Sequence, residues 1–341
     1  MTGMQFVITD ASGVGPQEPA TKTPDRAAGS IRRTSSIDIV RPDGITGPVR
    51  VDGRARDLAT DRTGAARVVA ERTLAAMLEP TLDVRALETE PAEPALAQLV
   101  GRHVAAGFRA AAVDAVPDSR RAADLLYLLL DDLPVATLVS GYAMQRAGLI
   151  PGIPRERYAP TVDLCSGWRR GGTLMQVIET SGAPPMTLGP AAPTLEPTDD
   201  ADAWHTLPRP VARTVRRRRR IDLIVGDESG ESGELQVDAM FRDSHFDDDE
   251  RESVVHEYAL RATIDRATLV ITSAHATPRV LPYIECPSAA ASTSRLVGLR
   301  LDEVRERVRS EFVGTSTCTH LNDLLRSLED VRGMRALNTS P

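Results

Sequence analysis

The chain has 341 residues, enough for about two domains that each bury a core, with a formal charge of −7 and an ordinary apolar share. That balance gives no general attraction to nucleic acid or to an anionic membrane, and the 41 basic residues are all arginine except Lys22. No secretory signal pattern opens the chain, and the runs LLYLLL and PVATLV, interrupted by Asp131 and Asp132, fall short of the ~20 residues that span a bilayer, so a cytoplasmic protein is expected.

Residues 1–31, rich in Gly, Pro, Thr and Ala without periodicity, read as a disordered tail. A first compact segment, 32–148, begins with strand-like alternation in VRVDGRARD and ends in the leucine-rich DLLYLLLDDL, where Asp131 and Asp132 read as the polar end of a helix before Pro134. Residues 149–215 carry many prolines and read as a connector over the surface, with Cys165 incidental to it. The second compact segment, 216–335, opens with Arg216–Arg220. A strand presents only alternate arginines to one face, so this run reads as a solvated edge or as intramolecular ion pairs. YALRATIDRATLVITSA then reads as two strands joined by a tight turn at Asp265 and Arg266.

The two segments match each other. At a constant offset of 186 residues stand Val51/Val237, Asp52/Asp238, Arg56/Arg242, Asp57/Asp243, Asp61/Asp247, Val69/Val255, Glu71/Glu257 and Val84/Val270, and LVG at 99–101 recurs at 296–298. The pattern predicts an α+β fold made by tandem duplication of an antiparallel sheet with helices on one face, the two copies forming a pseudo-twofold pair. Duplication supplies an internal control, because what only the second copy carries points to function. That copy holds His245, His256, His275, Cys286, Cys318 and His320, whereas the first offers only His103.

Three cysteines in a reducing compartment argue for buried, metal-binding or reactive thiols rather than disulfides. Cys286 precedes Pro287 and a run of small residues, and Cys318 precedes Leu321, Leu324, Leu325 and Leu328, so both are expected at helix N-termini, where free amides favour thiolate. If the helix is already formed at Cys318, that residue and His320 point ~200° apart, and if Cys318 is still extended they face one side. We expect the first case, with Cys318 beside the core and His320 as a cap or supporting residue. Asp243 and His245, two apart at a strand end, look to one face. Cys286, Cys318 and His245 or Asp243 therefore form the expected ligand set for zinc or an iron–sulfur cluster, while His256 and His275 read as a solvated strand histidine and a loop histidine.

RRTSSIDIVRPDG, VDGRARDLAT and LLYLLLDDLPVATLVSGY in the first half, with RRRRIDL, FRDSHFD, CPSAA, LVG and CTHLNDLL in the second, resemble an uncharacterised bacterial family, domain of unknown function 2889, over about residues 32–146 and 216–330. The family pattern has glycine before the cysteine of C-T-H-L, where this chain has Thr317, and the resemblance implies no activity. A more distant likeness is to NifU-like iron–sulfur scaffold proteins, in which a cysteine opens a small-residue helix ending near L-x-G-x-x-x-x-E and a later cysteine opens another. Cys286, Leu296 to Glu303 and Cys318 follow that order, and the likeness implies Asp243 or His245 for the remaining ligands. Three functions stay open. One is a metal or iron–sulfur site acting on a small molecule. A second is a metal-free thiol enzyme with Cys318 as nucleophile and His320 as candidate base, and the third is a non-catalytic subunit or assembly factor binding a protein partner.

Overall fold

The computed structural model describes residues 7–8, 13–44, 46–105, 107–117, 124–149, 161–182, 184–225 and 233–338. It is an α+β fold built on one large antiparallel sheet. Strands β2 (Ser30–Val40), β3 (Val49–Thr60), β4 (Ala66–Leu78) and β5 (Val84–Glu90) form one half of the sheet. Strands β7 (Val215–Val225), β8 (Glu234–Phe246), β9 (Glu252–Asp265) and β10 (Ile271–Val280) form the other. The strand order is β10-β9-β8-β7-β2-β3-β4-β5, so β2 and β7 meet antiparallel at the centre, from Ser30↔Ile224 to Ile39↔Val215. Two-residue strands β1 (Val7–Ile8) and β6 (Met186–Thr187) pair separately.

Helices cover one face: α1 (Phe108–Ala115), α2 (Leu125–Val139), α3 (Gly141–Arg146), α4 (Thr173–Ser181), α5 (Val304–Glu311), α6 (Thr319–Arg326) and α7 (Val331–Asn338). Because strand side chains alternate, Ile37 on β2 and Val51 on β3 pack with Phe108, Leu129 and Leu133, while Phe241 on β8 and Tyr258 and Leu260 on β9 pack with Leu296, Leu321, Leu324 and Leu328. Each of these side chains contributes about 1.5–3 kcal/mol when fully buried.

The halves share local detail. Asp61 and Asp247 each accept two amide hydrogen bonds that close the following turn, at 2.8 and 2.9 Å for Asp61 and 2.9 Å twice for Asp247. The pairing of β3 with β4 slips after Asp57↔Ala70 and that of β8 with β9 after Asp243↔His256, leaving Val69 and Val255 as bulges. The 3₁₀ segments Pro94–Leu99 and Cys286–Leu296 both end in an extended valine, followed by Gly101 and Gly298 at φ 81° and 90°. At the seam the ion pairs cross reciprocally, Arg32 with Asp222 at 2.7 Å and Arg216 with Asp38 at 2.6 Å.

Several expectations need correction. Of the two readings of Arg216–Arg220, the intramolecular ion pairs are present and the solvated edge is not, because the run occupies a central strand and all five are buried. Arg216 pairs with Asp38, Arg217 with Asp243, Arg218 with Glu196 and Glu252, Arg219 with Asp132, and Arg220 with Asp222 and Asp238. Asp131 and Asp132 do not end a helix; α2 runs on through Pro134, and Arg219 binds Asp132 while Arg305 and Arg326 face Asp131. The helical stretch Leu125–Arg146 is thus 22 residues long and apolar enough by composition to cross a membrane, and 83% of its most apolar 18-residue window is buried inside the fold.

Described residues of the stretch read as a tail make contacts with the fold. Arg32 donates to the Pro24 carbonyl at 2.7 Å, and Glu257 accepts from the Ala20 amide. The stretch read as a connector carries α4 and packs Trp204 and His205 on the sheet face opposite the helices, His205 lying between Thr34 (2.9 Å) and Ser36 (2.8 Å). The hairpin turn after Asp265 spans 266–270, because the Asp265 carboxylate accepts from the Thr268 amide and hydroxyl at 2.7 and 2.6 Å and so lengthens it.

Removing one partner of a buried ion pair costs about 3–5 kcal/mol, since the other charge stays desolvated. Asp222→Asn should therefore lower unfolding stability by that order in denaturant titration, and Arg32→Met combined with Asp222→Leu should lose much less than the two single changes summed. Additive losses would show that the seam pair does not act as a unit.

Candidate functional site

A cavity of about 280 Å³ opens between α2–α3, the segment from Cys165 to Thr187, the turn Leu281–Cys286, strand β9 and the start of α6. All three cysteines line it, with His256 and His320. Each thiol is placed by a local rule.

Cys318 is the N-cap of α6 with extended backbone (φ −133°, ψ 130°), and its carbonyl accepts the Asn322 amide at 2.8 Å. No side chain caps this helix in the usual way. Thr317 donates instead to the Asn322 side chain at 2.6 Å, which itself holds the Phe312 carbonyl at 2.8 Å. Because Cys318 is still extended, it and His320 face the same side, with Sγ 3.9 Å from Nδ1. His320 thus stands in the pocket beside the thiol rather than behind it.

Cys286 opens its 3₁₀ segment with Pro287 following, and its carbonyl accepts from the hydroxyls of Ser166 (3.3 Å) and Tyr258 (3.4 Å). Cys165 precedes the short 3₁₀ turn Ser166–Trp168, and the Ser166 amide donates to the Thr317 carbonyl at 2.9 Å. One turn of the presumed connector is therefore stitched to both other cysteine loops. At Gly167 any Cβ would stand 2.9 Å from the Cys286 sulfur, so glycine lets the loops close. Backbone amides face each sulfur: Trp168, Gly167 and Thr319 face Cys165, Tyr283 faces Cys286, and Leu321 and His320 face Cys318.

His256 enters through the β9 bulge, which re-aims the strand toward the pocket. Its ring stacks on His320 at 4.1 Å and 19°, and its Nδ1 lies 3.7 Å from Asp243. Asp243, fully buried, is held by the Arg217 guanidinium at 2.8 and 3.0 Å. Among the described residues, Asp243, His256 and His320 are the trio whose ligand atoms fall within 4.8 Å of one another, and no trio with a sulfur does so.

His245, expected as a ligand, stands elsewhere. It lies edge-on to Tyr142 at 5.5 Å, in a separate cavity of about 80 Å³ with Arg146, Arg213, Asp247 and Asp248. Tyr142 touches it on one side and lines the thiol pocket on the other, so His256 takes the inward place. His275 is exposed on β10. Of the expected set the pocket contains Cys286 and Cys318, with Asp243 behind His256. Sequence reasoning missed Cys165 and His256. No local signal marks the first, and for the second the available one was the contrast with Ala70 at the matching bulge.

Burial sets the protonation states. It pushes Cys318 up to about 12 and Cys286 well above the usual thiol value, and raises Cys165 too, outweighing the helix-end amides. It also drives His256 down to about 3, aided by Arg217, and His320 well below the usual imidazole range. The resting pocket presents thiols and neutral imidazoles, not the thiolates expected from helix position alone.

Residues 215–333 match the family described as Protein of unknown function (DUF2889). The DUF2889 match covers Asp243, His256, Cys286, Cys318 and His320, and leaves out Cys165 and the whole first half of the sheet. No curated protein and no solved structure matches the chain.

A thiol reagent applied to native, metal-free protein at pH 8 should label all three cysteines slowly, and rapidly after denaturation, because thiolate is scarce four units below a value of about 12. One cysteine reacting at the rate of a free thiol would contradict the buried, protonated pocket.

Proposed function

We propose that the thiol-lined pocket is the functional site and that it holds an iron–sulfur centre on Cys165, Cys286 and Cys318, with His320 beside it. One observation carries the reading: the three cysteines of the chain, from segments far apart in sequence, all reach a single cavity. Thiolate is the ligating form, and a bound cation supplies the driving force that burial otherwise withholds. The amides facing each sulfur are the donors that stabilise thiolate once it forms.

Spacing favours a cluster over zinc. Ligands of one tetrahedral zinc ion sit about 3.8 Å apart, given Zn–S bonds near 2.3 Å, whereas no trio with a sulfur lies within 4.8 Å among the described residues. The tighter trio Asp243, His256 and His320 is less suited to a cation, because Arg217 already occupies the carboxylate and its charge opposes a metal there. The order of Cys286, a small-residue segment and Cys318, shared with NifU-like scaffold proteins, agrees with the cluster reading. So does a reducing, cytoplasmic location, since all three thiols are free.

We further propose that the chain arose by tandem duplication, its second copy keeping the site and its first serving as structural partner. Supporting this are the Asp61 and Asp247 turns, the Val69 and Val255 bulges, and the reciprocal seam pairs, in which residue i of one half meets residue j of the other and the converse. A metal-free thiol enzyme with His320 as base is the alternative that the 3.9 Å approach to Cys318 favours, and the raised thiol opposes it.

Iron, zinc, acid-labile sulfide and the absorption spectrum should be measured on protein purified without oxygen, beside Cys165→Ser, Cys286→Ser, Cys318→Ser and His245→Ala. Iron and sulfide with visible absorption are expected in the parent and in His245→Ala, and are expected to be depleted in each cysteine variant. Metal-free parent protein, or full loading of Cys165→Ser, would sink the proposal.

A further inference from the structure

We infer that the pocket takes an uncharged, largely apolar small molecule about the size of a single aromatic ring. The inference rests on the functional reading of the same cavity and adds the class of its ligand. Among the described residues, no arginine, lysine, aspartate or glutamate lines the cavity. That is notable in a chain with 41 basic and 48 acidic residues, and in a fold that buries arginines within a few residues of this wall. Glu285, next to Cys286, accepts from the amide and hydroxyl of Thr173 at 2.7 and 2.9 Å, and Arg217 and Asp243 pair with each other behind His256.

The polar groups of the wall are largely paired within it. Tyr142 donates its hydroxyl to the Thr187 carbonyl at 3.0 Å, Tyr283 to the Pro185 carbonyl at 3.1 Å, and Gln145 its amide to the Pro184 carbonyl at 3.0 Å. What faces the cavity is therefore aromatic and aliphatic surface from Tyr142, Trp168, Tyr283, Val255 and Met186, with the thiols and imidazoles at one end. The apolar character continues to the mouth, where Leu138 lines the cavity while 67% exposed. A carboxylate or phosphate entering here would lose its hydration and meet no cationic side chain among the described lining residues to replace it. The volume, about 280 Å³, lies at the lower end of ligand pockets, which begin at roughly 300 Å³.

The test compares p-cresol, benzoate and benzylammonium by calorimetric titration on the full chain, both as purified without oxygen and as metal-free Cys286→Ser. An unpaired buried charge costs more than about 1.4 kcal/mol, so p-cresol should bind at least about tenfold tighter than either ion in both forms. Leu138→Arg, at an exposed position that leaves the core intact, should weaken p-cresol and strengthen benzoate. Benzoate or benzylammonium binding as tightly as p-cresol in the metal-free form, or no binding of p-cresol at millimolar concentration, would overturn the inference. The two readings fail separately: protein without metal that still selects p-cresol refutes only the cluster, and metal-loaded protein whose metal-free form prefers an ion refutes only the neutral ligand.

Discussion

The fold depends on matching buried arginines to carboxylates across the middle of the sheet. Arg32 and Arg33 on β2 and Arg216 to Arg220 on β7 are all nearly inaccessible to solvent, and an unmatched guanidinium there would forfeit several kcal/mol of hydration. Strand alternation sorts them. Arg32 and Arg216 face away from the helices and take Asp222 and Asp38 across the seam, while Arg33, Arg217 and Arg219 face the helices and draw carboxylates from the neighbouring strands and from the helices above.

Asp57 and Asp243 on neighbouring strands hold Arg33 and Arg217 most closely, and α2 and α6 with its continuation add the rest: Asp132 for Arg217 and Arg219, Asp323 for Arg217 and Arg326, and Asp330 for Arg33 and Arg305. The demand fixes the register of the helices on the sheet far more narrowly than leucine packing would, since an apolar face tolerates sliding and an ion pair does not. Once Asp323 is over Arg217, the first turn of α6 lies above the β9 bulge. Cys318 and His320 then meet His256, and Asp243 is held underneath. The loop bearing Cys165 closes the remaining side through its bond to Thr317 and the bare Gly167.

Much of this was legible from periodicity. Alternation in VRVDGRARD and LQVDAMFRD gave β3 and β8, the leucine spacing after Cys318 gave α6, and Pro287 marked the start of the segment at Cys286. What periodicity could not carry were contacts between distant segments. Nothing local distinguishes DLCSGW from a loop with an idle cysteine, because its partners lie some 120 and 150 residues away. His245 lies two residues beyond Asp243 on β8, against Tyr142, whereas the bulged Val255 on β9 sets His256 beside Asp243, and neither placement is written in the local sequence. The arginine run was misplaced for a related reason: an isolated strand of charges looks solvent-facing until its carboxylates, scattered from Asp38 to Asp323, are brought to it.

The central claim is that sulfur from all three segments surrounds one metal centre, and X-ray absorption at the iron edge of anaerobically prepared protein tests it most directly. The account predicts a first shell dominated by sulfur, an iron scatterer behind it, and a reduced sulfur share in whatever iron Cys165→Ser retains. A first shell of nitrogen and oxygen alone, as Asp243, His256 and His320 would provide, would contradict it.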